Sequence, residues 1–184
     1  MVLLLIAVTK SLEQLSSMDN ILSRFKKVKA VFLDVDGVLT DGKVLCFENG
    51  EQVRQFSIKD GFAIATAVKK KLPIIIISAG QYEGVRTRLE YLKVKDINLG
   101  VKNKIELLKK YILDNNWAKE EVLYMGDDIP DYEALQLVGL PTCPADAVTD
   151  IIEVCDYISP YNGGNGAVRD VLEKILKLQG KWAI

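Results

Sequence analysis

The sequence predicts an α/β protein: a doubly wound, Rossmann-like parallel sheet with no cap domain and a β-hairpin flap after the first strand. Three observations carry that expectation. Compact apolar, β-prone runs alternate with amphipathic stretches of helical length, a pattern that builds parallel sheets covered by helices. The run Leu72–Ser78 (LPIIIIS) holds four consecutive isoleucines, which suits a central strand covered on both faces. Two strand candidates end in acidic, glycine-containing turns, at the edge where open α/β sheets place their ligands.

Taken in order, the chain begins with an apolar run, Val2–Val8, followed by Lys10. Seven residues fall far short of the roughly 20 that span a bilayer, so the run reads as a docked N-terminal extension, or as a mis-called start with translation beginning at Met18, and the expected location is the cytoplasm. A helical stretch covers Leu12–Phe25, so residues 1–27 form an extension and helix ahead of one domain, residues 28–184. Lys29–Val35 (KAVFLDV) reads as the first buried strand. Lys43–Phe56 holds two β-prone stretches around Asn49-Gly50, a strong hairpin signal; too small for a cap, it is placed to act as a flap or an oligomer contact. Strands follow at Leu72–Ser78, Val94–Asn98, Glu121–Met125, around Gly139–Cys143 and at Asp156–Ile158. Helices are expected at Gly61–Lys71, Tyr82–Leu92, Lys102–Asn115, Pro130–Val138 and Ala167–Leu178, from apolar residues at helical spacing.

Composition narrows the chemistry. The 184 residues contain no histidine, which removes a Ser-His-Asp triad, an HExxH zinc site and any histidine base. With 24 cationic and 25 acidic side chains and a net charge of −1, neither a basic nucleic-acid module nor a disordered chain is expected. Cys46, Cys143 and Cys155 are widely spaced, imply neither a disulfide framework nor a zinc ribbon, and read as small buried apolar groups. Carboxylates and hard, oxygen-liganded metals remain.

The first strand ends in Asp34-Val35-Asp36-Gly37-Val38-Leu39-Thr40-Asp41-Gly42. Residues two apart on an extended chain face the same side, and two carboxylates about 4 Å apart repel by about 4 kcal/mol at an effective dielectric near 20, which calls for a cation, a shared proton or solvent. An isolated DxDG is as readily an ordinary acidic turn. A second cluster, Gly126-Asp127-Asp128-Ile129-Pro130-Asp131, follows the strand at Glu121–Met125; alone it would suit a helix start capped by Asp127 or Asp128. If both strands share one parallel sheet, the two clusters converge on one edge, and oxygen ligands there favour Mg²⁺. Two further groups suit an anion. Ser78, with the small residues Ala79-Gly80 behind it, ends the isoleucine strand, and backbone N–H groups of such a turn bind phosphate. Lys104 opens a helix, where a cation is misplaced unless it meets an anion.

In this order, Asp-x-Asp, Ser, Lys and GDDxxD, the chain resembles the haloacid dehalogenase superfamily of phosphotransferases, with its four motif positions filled from Asp34 to Asp131. DVDGVLTDG, KDG at Lys59–Gly61, NK at Asn103–Lys104, GDD, GGNGAVRDV at Gly163–Val171 and QGKW at Gln179–Trp182 make it similar to the cap-less branch that includes the 3-deoxy-D-manno-octulosonate 8-phosphate phosphatases of lipopolysaccharide precursor synthesis. The resemblance implies Asp34 as nucleophile and Asp36 as general acid and base. It implies Mg²⁺ held by Asp34, the Asp36 carbonyl and Asp127, with Asp128 in an outer shell, and Ser78 and Lys104 on the phosphoryl group, with Asp131 or Asp128 steadying the lysine. It also implies a homotetramer whose flaps pack together, and a small phosphorylated sugar acid as partner, with no nucleic acid and no membrane. The octulosonate branch usually has Gly-Arg after the motif-two residue and commonly an arginine where Asn165 stands; here Ala79-Gly80 follows Ser78. A changed anion pocket is therefore expected, with Lys59, Arg86 and Arg88 as candidate cations, and 2-keto-3-deoxynononate 9-phosphate remains an alternative substrate. Two other classes compete. A phospho-accepting receiver domain uses similar groups but places its acidic pair first and its phosphoacceptor later; a binding module without catalysis would not need Asp34, Asp36, Ser78, Lys104 and Asp127 together.

Overall fold

The computed structural model describes residues 20–182. The expected N-terminal extension and the start of the helix at Leu12 lie outside them; the described part of helix α1 covers residues 20–27. β1 (Ala30–Leu33) follows, then a two-stranded hairpin of β2 (Leu45–Cys46) and β3 (Gln52–Val53), α2 (Ile58–Lys69), β4 (Ile74–Ile77), α3 (Glu83–Tyr91), β5 (Asp96–Asn98), α4 (Lys104–Asp114), β6 (Val122–Met125), α5 (Tyr132–Leu137), β7 (Leu140–Cys143), α6 (Thr149–Val154), β8 (Tyr157–Ile158) and α7 (Ala167–Leu178). The six main strands are all parallel, in the order β5-β4-β1-β6-β7-β8. β1 thus lies between β4 and β6, where the chain order departs to either side, the position at which such sheets bind ligands.

Alternation along each strand divides the core in two. Val31 and Leu33, Ile74 and Ile76, and Leu123 and Met125 face a layer built by α2, α3 and α7. Ala30 and Phe32, Ile75 and Ile77, and Val122 and Tyr124 face α4, α5 and α6. Every residue of β1, β4, β6 and β7 is buried, which accounts for the unbroken apolar sequences of β1, β4 and β6. On α7, Val168, Val171, Leu172, Ile175 and Leu176 form one buried stripe at helical spacing.

Local chemistry shifts several boundaries. α2 begins at Ile58 rather than Gly61 because the Ser57 hydroxyl accepts from Asp60 N–H (3.3 Å) and caps the helix. The expected helix Pro130–Val138 is split: Asp128 caps a 3-10 turn at Ile129–Asp131, and α5 follows. Helix α6 was not expected from the sequence. Cys46 is exposed on the hairpin, while Cys143 is buried as expected and Cys155 half-buried. At the rim where the strands begin, α2, α3 and α4 end alike: Lys71, Lys93 and Asn116 take positive φ (60°, 66° and 51°), and the next residue donates back to Ala67, Leu89 and Ile112. α7 ends the same way on Gly180.

Candidate active site

Three neighbouring strand ends assemble the site. Asp34 lies one residue past β1, its N–H donating to Met125 C=O (3.1 Å) so that the β1–β6 ladder extends to it. After it the chain turns tightly: the N–H groups of Leu39 and Thr40 converge on Val35 C=O, and the buried Thr40 hydroxyl accepts from Gly37 N–H (3.3 Å). Gly37 sits at φ +77°, and a Cβ there would stand 1.8 Å from an Asp127 carboxylate oxygen; the absence of a side chain is what lets the β1 loop and the β6 loop close on each other. Gly163 and Gly164 press on the same loop from the side of α7, where a Cβ would meet the Gly37 and Thr40 backbones.

At the centre, Lys104 Nζ is 2.8 Å from Asp34 Oδ2 and 2.8 Å from Asp131 Oδ1. Asp131 is fully buried and also accepts from Tyr124 OH (2.6 Å) and Asp127 N–H (3.3 Å). Carboxylate oxygens of Asp34, Asp127 and Asp131 lie within 4.8 Å of one another. Burial, then the charges of Asp131, raises the Asp34 carboxyl to about 7 even though Lys104 pulls it down. Burial, then Asp34, Asp131 and Asp128, raises Asp127 to about 8. Burial alone would lower the Lys104 ammonium, but Asp34 and Asp131 outweigh it and the lysine is raised. Asp127 Oδ1 is buried with no hydrogen-bond partner among the described residues, a costly condition for a carboxylate oxygen. Three carboxylates against one ammonium leave two negative charges uncompensated. A divalent, oxygen-seeking cation fits this donor set, with Asp127 Oδ1 and Asp34 as its open ligand atoms.

Ser78 is buried directly after β4; its N–H donates to Asn98 C=O (3.0 Å), and its hydroxyl accepts from Gly80 N–H (3.2 Å). On the other flank Asp36 is held by Arg54: Nε is 2.6 Å from Oδ1 and Nη2 3.4 Å from Oδ2.

Comparison with known proteins is decisive about ancestry. The family described as haloacid dehalogenase-like hydrolase matches residues 93–172. The chain is 34% identical over 166 residues, 88% of its length and 86% of the relative's, to the 3-deoxy-D-manno-octulosonate 8-phosphate phosphatase KdsC of Escherichia coli strain K12. The chain belongs to the haloacid dehalogenase-like hydrolases. Among solved structures, that of 3-deoxy-D-manno-octulosonate 8-phosphate phosphatase from Moraxella catarrhalis in complex with magnesium ion, phosphate ion and a KDO molecule is similar at 30% identity and TM-score 0.85, covering 89% of this chain and 94% of that one. The cobalt-bound deoxy-D-mannose-octulosonate 8-phosphate phosphatase from Haemophilus influenzae is similar at 30% identity and TM-score 0.80, covering 85% and 92%. The protein is a phosphatase of the haloacid dehalogenase type.

Within this haloacid dehalogenase-like fold the sequence expectations divide. Asp34, Lys104, Asp127 and Asp131 come together, and Asp36 and Ser78 flank them from β1 and β4. Asp128 does not join: it is exposed, and its carboxylate accepts from Ile129 N–H (2.7 Å) as a cap. Lys59 is exposed and lines a cavity of about 440 Å³ with Asp41, Gln55, Phe56, Gly164 and Asn165, beside the loop that follows β1. Arg88 makes no ion pair with the acidic cluster among the described residues; it packs against Gly61 and over Tyr91. Ala79 and Gly80 form the turn after Ser78 as expected. Sequence reasoning missed Arg54, Tyr124 and Asp60. The buried Asp60 carboxylate accepts from Gly166 N–H (3.1 Å) and Arg169 N–H (2.7 Å), tying α2 to the start of α7. No pattern in the sequence marked Arg54: Gln52 and Val53 before it are both exposed, and alternation on a hairpin would put the valine rather than the arginine inward.

Proposed function

We infer that the protein is a Mg²⁺-dependent phosphomonoesterase that works through an aspartyl-phosphate on Asp34 and acts on a phosphorylated 2-keto-3-deoxy sugar acid, with 3-deoxy-D-manno-octulosonate 8-phosphate as the preferred substrate. The observation that carries this reading is the convergence of Asp34, Lys104, Asp127 and Asp131 at the ends of β1 and β6. The substrate rests on the names of the relatives and on the sugar acid bound in the Moraxella structure.

Asp34 attacks the phosphorus in line, a carboxylate–phosphorus bond forms, and the ester P–O bond breaks as Asp36 gives its proton to the leaving alkoxide. Water then attacks the same phosphorus, its proton passes to Asp36, and the Asp34–phosphate bond breaks to release inorganic phosphate. A histidine-free protein has a nucleophile and an acid–base group in these two aspartates. Lys104, steadied by Asp131, and the Ser78 turn bind the phosphoryl oxygens, where fixed donors supply most of the catalysis of phosphoryl transfer. Asp34, Asp127 and the Asp36 carbonyl would hold Mg²⁺, which when bound screens the nucleophile from the anionic substrate. The Ala79-Gly80 turn and Asn165 leave 2-keto-3-deoxynononate 9-phosphate as a second substrate to assay, with the exposed Lys59 as a cation for a sugar-acid carboxylate. The protein assembles as a homotetramer through its flaps, a reading supported by Leu45, Phe47 and Val53, each about half exposed or more.

Asp34→Asn is expected to lower Mg²⁺-dependent phosphate release by about a thousandfold or more while the melting temperature stays near wild type. Near-normal turnover by that variant overturns the assignment.

A further inference from the structure

Arg54 is a charged group of the catalytic rim that the four phosphotransferase motifs leave unexplained. It follows β3 in a hairpin whose other side chains are largely exposed, yet its own side chain is 5% accessible. Its guanidinium lies over the Tyr82 ring, 3.4 Å from the centroid. That ring occupies the space a side chain on Gly80 would need, since a Cβ there would stand 2.2 Å from it. Gly80 makes room for Tyr82, Tyr82 forms a shelf for Arg54, and Arg54 grips both oxygens of Asp36. A planar guanidinium pairing with a carboxylate by two N–H groups fixes its plane as well as its place. The third nitrogen, Nη1, is buried and has no acceptor among the described residues, which leaves a donor for an oxygen that arrives with the reaction.

We propose that Arg54 is the positioning residue for the hydrolytic half of the reaction, holding the Asp36 carboxylate in place to take the proton of the water that cleaves the aspartyl-phosphate. The inference rests on the assignment of Asp36 as that base. In the step itself the water oxygen bonds to phosphorus, the Asp34–phosphate bond breaks, the water proton goes to Asp36, and Arg54 is unchanged. Phosphorylation of Asp34 and breakdown of the phosphoenzyme are separate steps, and the nitrophenolate of p-nitrophenyl phosphate departs without the Asp36 proton, so with that substrate loss of Arg54 acts on the second step and leaves the first nearly intact.

Steady-state and rapid-quench kinetics with p-nitrophenyl phosphate and Mg²⁺ on wild type, Arg54→Ala, Arg54→Lys and Asp36→Asn test this. Arg54→Ala is expected to lower kcat and KM together by about tenfold or more, with kcat/KM within about twofold, and to give a burst of nitrophenol as phosphoenzyme accumulates. Arg54→Lys recovers part of kcat, and Asp36→Asn traps more phosphoenzyme still. A raised KM with unchanged kcat and no burst in Arg54→Ala, while Asp36→Asn still traps phosphoenzyme, overturns the proposal and leaves the Asp36 assignment standing. Normal turnover by Asp36→Asn overturns both. Equal loss of kcat and kcat/KM in Arg54→Ala, unrelieved by lysine, reduces Arg54 to a structural contact and also overturns the proposal.

Discussion

Without a metal, Asp34 and Asp127 hold protons in the folded protein over a pH range in which the unfolded chain has already released them. Their carboxyls are raised to about 7 and about 8, chiefly by burial and then by neighbouring carboxylates, whereas unfolded aspartates titrate near the usual 3.8. Between those limits the unfolded state binds fewer protons, so stability falls as pH rises. The chelator-treated protein is therefore expected to melt at progressively lower temperature from about pH 5 to about pH 8, with Asp127→Asn flattening the slope and Mg²⁺ restoring the melting temperature most strongly at the alkaline end. A melting temperature that rises across this window without metal would contradict the assigned repulsion. The two acidic clusters were legible in the sequence because each directly follows a strand, so strand prediction also placed the carboxylates. Asp131 was legible only through the resemblance, which gave it or Asp128 the task of steadying Lys104. Its contacts with Lys104 and Tyr124 join residues from three elements, and no spacing rule encodes that. A capping aspartate and a ligand-supporting one look the same in GDDxxD; in the structure Asp128 accepts from the Ile129 N–H while its charge still acts on Asp127.

The hairpin is the element whose environment is least complete in a single chain. β2 and β3 pair over only two residues each, with Leu45 opposite Val53, and isolated two-stranded ribbons are marginal in water. Val44, Leu45, Phe47 and Val53 remain 39% to 61% exposed, apolar surface of the kind that marks a protein contact. Asn49-Gly50 announced the hairpin, and Gly50 does take positive φ, at 87°. If the flaps pair as proposed, Phe47→Glu is expected to convert the proposed tetramer to smaller species in light scattering coupled to gel filtration, and to lower activity several-fold by loosening Arg54 from Asp36. Wild type running only as a 20.5 kDa monomer would remove the tetramer. Other elements were less legible: α6 is one and a half turns long, buries chiefly Ile151, and so offers too short a stretch for periodicity to register. The start of α2 escaped because Ser57 caps it from within the segment assigned to a loop.

At the scale of the whole molecule, the parallel order and the placement of β1 between β4 and β6 follow from strand–helix alternation, and the topology carries Asp34, Ser78 and Asp127 to one rim without further instruction. The two rims differ in what they tolerate. On the catalytic side an added methyl group at Gly37, Gly126 or Gly163 would collide with a carboxylate, Asp131 or the Gly37 backbone. On the far side Lys71 and Lys93 carry side chains in a left-handed conformation that α7 gives to a glycine, at a cost of about 1–2 kcal/mol each. Lys93→Gly is therefore expected to raise the melting temperature by about 2 °C with kcat unchanged, after allowing for the greater freedom of glycine in the unfolded chain; a lower melting temperature would refute it. Thermal tolerance can then be adjusted from the floor of the sheet, with the chemistry overhead left as it is.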